Sequence, residues 1–264
     1  VGGKAERRLM INKESIIDAH VHCGVQDEFV RQAFTDYLEA IKKTGIQGAV
    51  MFPPVIEIYD RHNPDFKDSA YWRERRKRAN QYVEGLESVS IQIIPYFFIW
   101  NDFALEQLSP RHKGIKWHRH SDEPVYHYNT PECSRAVEKI RSLNMPVVYE
   151  EELDNTLAFI RDIAGGVRVI LPHLGGLNGG YYTVKRHGIW NNPLVYTDTA
   201  LAGTAEINDY IDNFGTERIL FGSDFPFGDP ESELAKIEEL DLPLEKKNRI
   251  LAENLKALLA DSNP

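Results

Sequence analysis

From about residue 15 onward, short runs of β-branched and aromatic residues alternate with longer stretches of helical periodicity, predicting a repeated strand and helix order. The first run ends at Asp18-Ala19-His20-Val21-His22. A helix follows over about 30–43, where Phe34, Leu38 and Ile41 recur at helical spacing and Gly45 closes the segment. Strand two is read over 48–52 and is stopped by Pro53-Pro54, after which a long polar stretch, 55–70, leads into a charged helix over 71–87. Strands three and four are read over 90–97 and 114–118, and Thr130-Pro131 makes a good cap and first turn for the next helix. Strand five covers 146–150, with a helix over 153–164. Strand six leads to His173, strand seven covers 194–198, strand eight leads to Asp224, and closing helices are expected over 231–240 and 244–259.

Eight strands alternating with helices in a chain of 264 residues predict a closed parallel (β/α)8 TIM barrel, α/β in class, with its active site on the C-terminal rim of the strands. The chemistry-bearing residues fall where that architecture needs them. In an extended chain, residues i and i+2 point the same way, so His20 and His22 can offer two ring nitrogens to one divalent cation. An alternating histidine pair alone is weak, because such rings also face solvent or core partners. His173-Leu174-Gly175-Gly176 and Gly222-Ser223-Asp224 end two further runs in the same manner. Nitrogen and carboxylate donors at the ends of separate strands make a metal site the expected reading.

Composition changes this picture little. With 42% hydrophobic residues the chain can bury a large core, and a formal charge of -9 argues against a nucleic-acid partner. Arg73, Arg75, Arg76, Lys77 and Arg78 form a basic cluster, read as a solvated helix face. Cys23 and Cys133 are too few for a disulfide framework, which suggests a reduced, cytoplasmic compartment. No stretch is long and apolar enough to span a bilayer. Residues 1–12 are read as an extension or tag remnant, and 13–264 as one barrel domain. The loops over 55–70 and 121–130 leave the C-terminal ends of strands and are candidate lids.

Four segments together, Ile17-Asp18-Ala19-His20-Val21-His22, Gly114-Ile115-Lys116-Trp117-His118, Leu171-Pro172-His173-Leu174-Gly175-Gly176 and Phe221-Gly222-Ser223-Asp224-Phe225-Pro226, resemble the amidohydrolase superfamily, and within it amidohydrolase family 2. The resemblance runs from Ser15 onward. It implies a barrel enzyme holding one divalent metal ion, zinc or manganese, with iron also admissible. It also implies either hydrolysis of a small carboxylic-acid derivative (lactone, ester or amide) by metal-activated water, or non-oxidative decarboxylation. His20, His22 and Asp224 carry over as metal ligands, and His173 as the strand-six histidine.

One position departs from the family, whose strand five usually ends in a metal-binding histidine where this chain has Glu150. Glu150 could replace that ligand, act as a base without metal contact, or pair with Lys116; the ligand role is the expectation adopted. In a hydrolase, Asp224 would take a proton from water and His173 would stabilise the oxyanion; in a decarboxylase, either would protonate carbon. Related enzymes bridge two metals with a carboxylated lysine on strand four, but Lys116 is expected instead to pair with Glu150 or to anchor a substrate carboxylate. His118 shares its face of the strand and is the better candidate for substrate contact, whereas for Arg119, His120, His62, His112, His127 and His187 loop surface is an equal reading. Tyr126, Tyr128, Trp100 and Phe227 could form an apolar wall or simply pack. Cys23 lacks a placed base and reads as a rim residue. The partner expected is a small, carboxylate-bearing molecule, with no nucleic acid and no membrane; homo-oligomerisation is left open. A phosphoesterase barrel would need more histidines at strand ends, and a non-catalytic metal-bearing barrel remains as the alternative outside the enzyme class.

Overall fold

The computed structural model describes residues 16–24 and 32–260, so the expected extension over 1–12 lies outside the described residues. Eight parallel strands run in chain order: β1 Ile16–His22, β2 Ile46–Phe52, β3 Gln92–Phe98, β4 Gly114–His118, β5 Val147–Glu150, β6 Val169–Leu171, β7 Val195–Asp198 and β8 Ile219–Leu220. Each pairs with the next. The last strand returns to the first: Ala19 N donates to Phe221 O at 2.8 Å, His22 N donates to Phe225 O at 2.9 Å, and Val21 bridges Phe225. The chain therefore forms the expected barrel, a packed one. Ile17, Ala19, Val50, Phe52, Ile94, Tyr96, Val148, Ile170 and Leu220 make an inner cluster.

Helices clothe the outside: α1 Phe34–Ala40, α2 Ala70–Gly85, α3 Pro131–Ser142, α4 Leu153–Ala158, α5 Tyr181–Arg186, α6 Thr204–Phe214, α7 Pro230–Glu238, α8 Leu244–Asn248 and α9 Asn254–Ala260. Polar side chains start several of them, as the sequence leads one to expect. The Thr130 hydroxyl accepts from Cys133 N to begin α3, and the Asp229 carboxylate accepts from Ser232 N to begin α7. Leu255 and Leu258 of α9 join the inner cluster.

The register of β1 decides where its histidines look. Ile17 lies opposite Gly48, Asp18 opposite Ala49 and Val21 opposite Met51, so β1 carries one residue more than β2 between the last two pairs. Simple alternation from inward-facing Ile17 would turn His20 and His22 outward. The bulge reverses the phase for the end of the strand and aims both rings into the barrel mouth.

Several boundaries differ from expectation. The first helix is short, and positions 30 and 31 of its expected span lie outside the described residues. Strands β6 and β8 stop at Leu171 and Leu220, short of His173 (φ 57°) and Asp224 (φ 55°), where the chain turns left-handed. The helices over 153–164 and 244–259 are each interrupted by a π turn, at Phe159–Ile163 and Arg249–Glu253. Of the basic cluster on α2, Arg76 turns inward to Asp68 (3.0 Å) and Asp102 (2.5 Å), while Arg73, Lys77 and Arg78 stay exposed.

Candidate metal centre and active site

Eight polar side chains from six strands converge at the C-terminal ends of the barrel. His20 and His22 come from β1, Lys116 and His118 from β4, and Glu150 from β5; Asp198 ends β7, while His173 and Asp224 lie two and four residues past the ends of β6 and β8. All are buried. Two of them, His173 and Asp224, sit in the left-handed region that non-glycine residues rarely adopt, a strain that concentrates at functional positions. Asp224 N is held by His20 O at 2.8 Å, and His173 N by Asp198 Oδ1 at 2.9 Å.

Hydrogen bonds assign the nitrogens. His20 Nδ1 donates to Asp198 Oδ2 at 2.9 Å, which leaves Nε2 as the nitrogen facing the site. That Nε2 lies 3.3 Å from Asp224 Oδ1, and His22 Nε2 lies 3.1 Å from the same oxygen. Asp224 Oδ1 nevertheless has no hydrogen bond of acceptable geometry. A tetrahedral cation with bonds of about 2.0–2.1 Å spaces its donors roughly 3.3 Å apart. Both imidazole nitrogens stand about that far from the Asp224 oxygen, and all three donors lie within 4.8 Å of one another, so His20, His22 and Asp224 fit a divalent metal. A second grouping, His20, His173 and Asp198, is the hydrogen-bonded support of the first.

Glu150, expected as a fourth ligand, belongs to neither grouping. Its Oε2 accepts from Lys116 Nζ at 2.6 Å and lies 3.2 Å from His118 Nε2, and its Oε1 accepts from His173 Nε2 at 3.0 Å. The Lys116 pairing anticipated from sequence is present. The charges sort accordingly. Burial works to raise the Glu150 carboxyl, but Lys116, His118 and His173 outweigh it and hold it well below the usual range. Burial works to lower the His173 imidazole, yet Glu150, with Asp224 and Asp198, lifts it to about 9. Its Nδ1 donates to Ala200 O at 3.0 Å, so both ring nitrogens donate. Asp224 is pulled down to about 2 by His20, His22 and His173 against its burial, whereas burial takes His22 to about 4 and His118 well below its ordinary value.

His22, His118, Glu150, His173 and Asp224 floor a cavity of about 240 Å³ whose walls include Arg61, His120, Ile56, Leu177, Leu201 and Phe227. Arg61 comes from the loop after β2, and its guanidinium is paired with Glu123 of the loop after β4. Glu123 also accepts from Tyr59 Oη at 2.6 Å and from His120 N at 3.0 Å, so one carboxylate ties the two expected lids together.

Other expectations need correction. Arg119, for which loop surface is an equal reading from sequence, is buried in an ion pair with Glu151 at 2.8 Å; His112 is buried too, while His62, His127 and His187 are exposed. His120 is half-buried and lines the cavity. Among the four aromatics, only Phe227 reaches the cavity; Trp100 packs on Tyr126 and Tyr128 stacks on Trp117. Cys23 is fully buried, and burial pushes its thiol up to about 12, which removes it as a nucleophile.

A family model described as Amidohydrolase, that of amidohydrolase family 2, matches residues 106–260. The chain belongs to the amidohydrolase family. Solved structures resemble this amidohydrolase over nearly its whole length. A 2,6-dihydroxybenzoate decarboxylase from Rhizobium is 15% identical, covers 94% of this chain and 99% of its own, and superposes with a TM-score of 0.72. A dihydroxybenzoic acid decarboxylase from Polaromonas, with bound manganese and the inhibitor 2-nitroresorcinol, is also 15% identical (94% and 97% covered, TM-score 0.69). A probable 2-pyrone-4,6-dicarboxylic acid hydrolase from Acinetobacter baumannii is 12% identical (94% and 100% covered, TM-score 0.63). The likeness is one of fold, and it spans proteins of both reaction types. A search of curated proteins gives no match. No helix among the described residues is long and apolar enough to cross a membrane.

Proposed function

We propose that this amidohydrolase is a metal-dependent hydrolase of a small, carboxylate-bearing lactone, ester or amide. The observation that carries the reading is the pairing, across 3.9 Å in one cavity, of a carboxylate held ionised, Asp224, with an imidazole held protonated, His173. Two titratable groups whose surroundings drive them apart are what an acid and base pair requires. His20, His22 and Asp224 hold the ion, zinc or manganese; manganese is what the Polaromonas decarboxylase carries. When bound, the ion polarises the substrate carbonyl and makes water a better nucleophile.

The chain's own residues do the rest. Asp224 accepts the proton of the attacking water on the oxygen not committed to the ion. His173 Nε2, which rests on Glu150 Oε1 at 3.0 Å, turns its N–H from that carboxylate to the developing oxyanion and then gives its proton to the leaving group, while Nδ1 keeps its bond to Ala200 O. Arg61, held in place by Glu123, recognises a substrate carboxylate, and Ile56, Leu177, Leu201 and Phe227 exclude water from the apolar part of the ligand.

A second reading rests on His173 alone. A buried imidazolium beside a carboxylate-binding cavity is the proton donor that non-oxidative decarboxylation needs, and that reaction requires no base. A panel of lactones, esters, amides and aryl carboxylates including 2,6-dihydroxybenzoate, scored by product, separates the two. The hydrolytic reading expects acid and alcohol or amine, with turnover falling about two to four orders of magnitude in Asp224→Asn. Carbon dioxide release that survives Asp224→Asn would replace it with the second reading.

A further inference from the structure

Lys116 is a whole ammonium buried inside the barrel mouth, with no exposed surface. Its Nζ sits 2.6 Å from Glu150 Oε2, 4.5 Å above the centre of the Phe52 ring, and 3.2 Å from His20 Nε2. The last contact matters most. His20 Nδ1 is committed as a donor to Asp198, so its ring has one remaining lone pair, on Nε2. The same nitrogen stands 3.3 Å from Asp224 Oδ1 in the metal grouping. One lone pair accepts either an N–H of the ammonium or a coordinate bond to a cation, and not both.

We propose that Lys116 is an internal cation that competes with the divalent ion for His20 Nε2 and thereby sets how tightly this enzyme holds its metal. The inference rests on the reading of His20, His22 and Asp224 as ligands. Glu150 provides the counter-charge that lets the ammonium remain beside a cation site, and it offers the place to which Nζ withdraws when the metal takes the lone pair. Lys116 and His118 share the inward face of β4, opposite Val148 and Glu150 of β5, so this withdrawal needs only rotation about side-chain bonds. In this account the Glu150 carboxylate serves the lysine in both states and never replaces a histidine ligand. The metal site is consequently weaker, and its ion more exchangeable, than the same three ligands would make it without the lysine.

The test is metal affinity, which needs no substrate. Metal-depleted wild type, Lys116→Met and Lys116→Met with Glu150→Leu are titrated with zinc and with manganese against a chromophoric chelator. Both variants should bind about 10- to 100-fold more tightly than wild type, the scale on which groups next to metal ligands act. Lys116→Met alone leaves the buried Glu150 carboxylate with only its histidine partners, His173 and His118, and if it fails to fold, the double variant, which removes both charges, carries the measurement. Wild type binding one equivalent while the folded variants bind no more tightly would overturn the role of Lys116 and leave the ligand assignment standing. Absence of stoichiometric binding of either ion in all folded forms would overturn both.

Discussion

Asp198 Oδ2 accepts from His20 Nδ1 at 2.9 Å, while its other oxygen accepts the His173 backbone N–H at 2.9 Å. One carboxylate at the end of β7 therefore orients the central histidine of β1 and the turn that presents the histidine after β6. Asp198→Ala frees the His20 ring to rotate and to change tautomer. The expected cost is about 10- to 100-fold in metal affinity, with the barrel still folded, measured by chelator competition and circular dichroism. Unchanged affinity would show that the His20 ring is held by its packing alone.

Glu150→Gln separates the two roles open to that residue. The Glu150 carboxylate is the chief influence holding His173 protonated to about 9. The acid form is present below that value and is lost as pH rises through it. In the variant the imidazole loses this support, so the alkaline limb of the activity profile should move to lower pH, while metal content at saturating ion stays near that of wild type because the amide oxygen still accepts from Lys116 Nζ. A loss of metal with an unmoved alkaline limb would instead make Glu150 a ligand.

Glu151, the next residue, provides a contrast in stability. It is fully buried, pairs with Arg119 at 2.8 Å and accepts from Tyr128 Oη at 2.9 Å. Glu151→Leu removes the buried partner of the Arg119 guanidinium, leaving only the more distant, half-exposed Glu152 carboxylate at 3.5 Å, and should lower unfolding free energy by about 3–5 kcal/mol in urea denaturation. Metal stoichiometry of the folded fraction should not change. A shift below about 1 kcal/mol would mean that the Ser121 and Glu123 carbonyls, both acceptors of Arg119, suffice to hold it.

The barrel was legible because its strands are short apolar runs and its site residues interrupt them at their C-terminal ends. That rule finds His20, His22, Lys116, His118, Glu150, His173 and Asp224. Applied to the run ending at Asp198 it would have found that residue too, which was read only as the end of a strand. The bulge in β1 left no trace in the pattern, since the side-chain alternation it corrects is visible only once Ile17 and Ala49 are paired with their neighbours. Helix α6 carried a readable signal in Ile207, Tyr210 and Ile211, whereas α5 is a short turn of helix among glycines. Arg61 and Glu123 lie in loops without periodicity, and only folding brings them together. Arg119 looked like surface because its partner is 32 residues away.

The central claim is that His20 and His22, turned inward by the β1 bulge, grip a divalent ion together with Asp224. Elemental analysis of wild type and of the His20→Ala, His22→Ala double variant, each reconstituted with manganese or zinc and desalted, tests it most directly. Wild type should hold one equivalent and the double variant almost none, with the circular dichroism spectrum of the barrel retained because rim residues carry function and the core layers carry stability. A folded double variant that keeps a full equivalent of metal would contradict it.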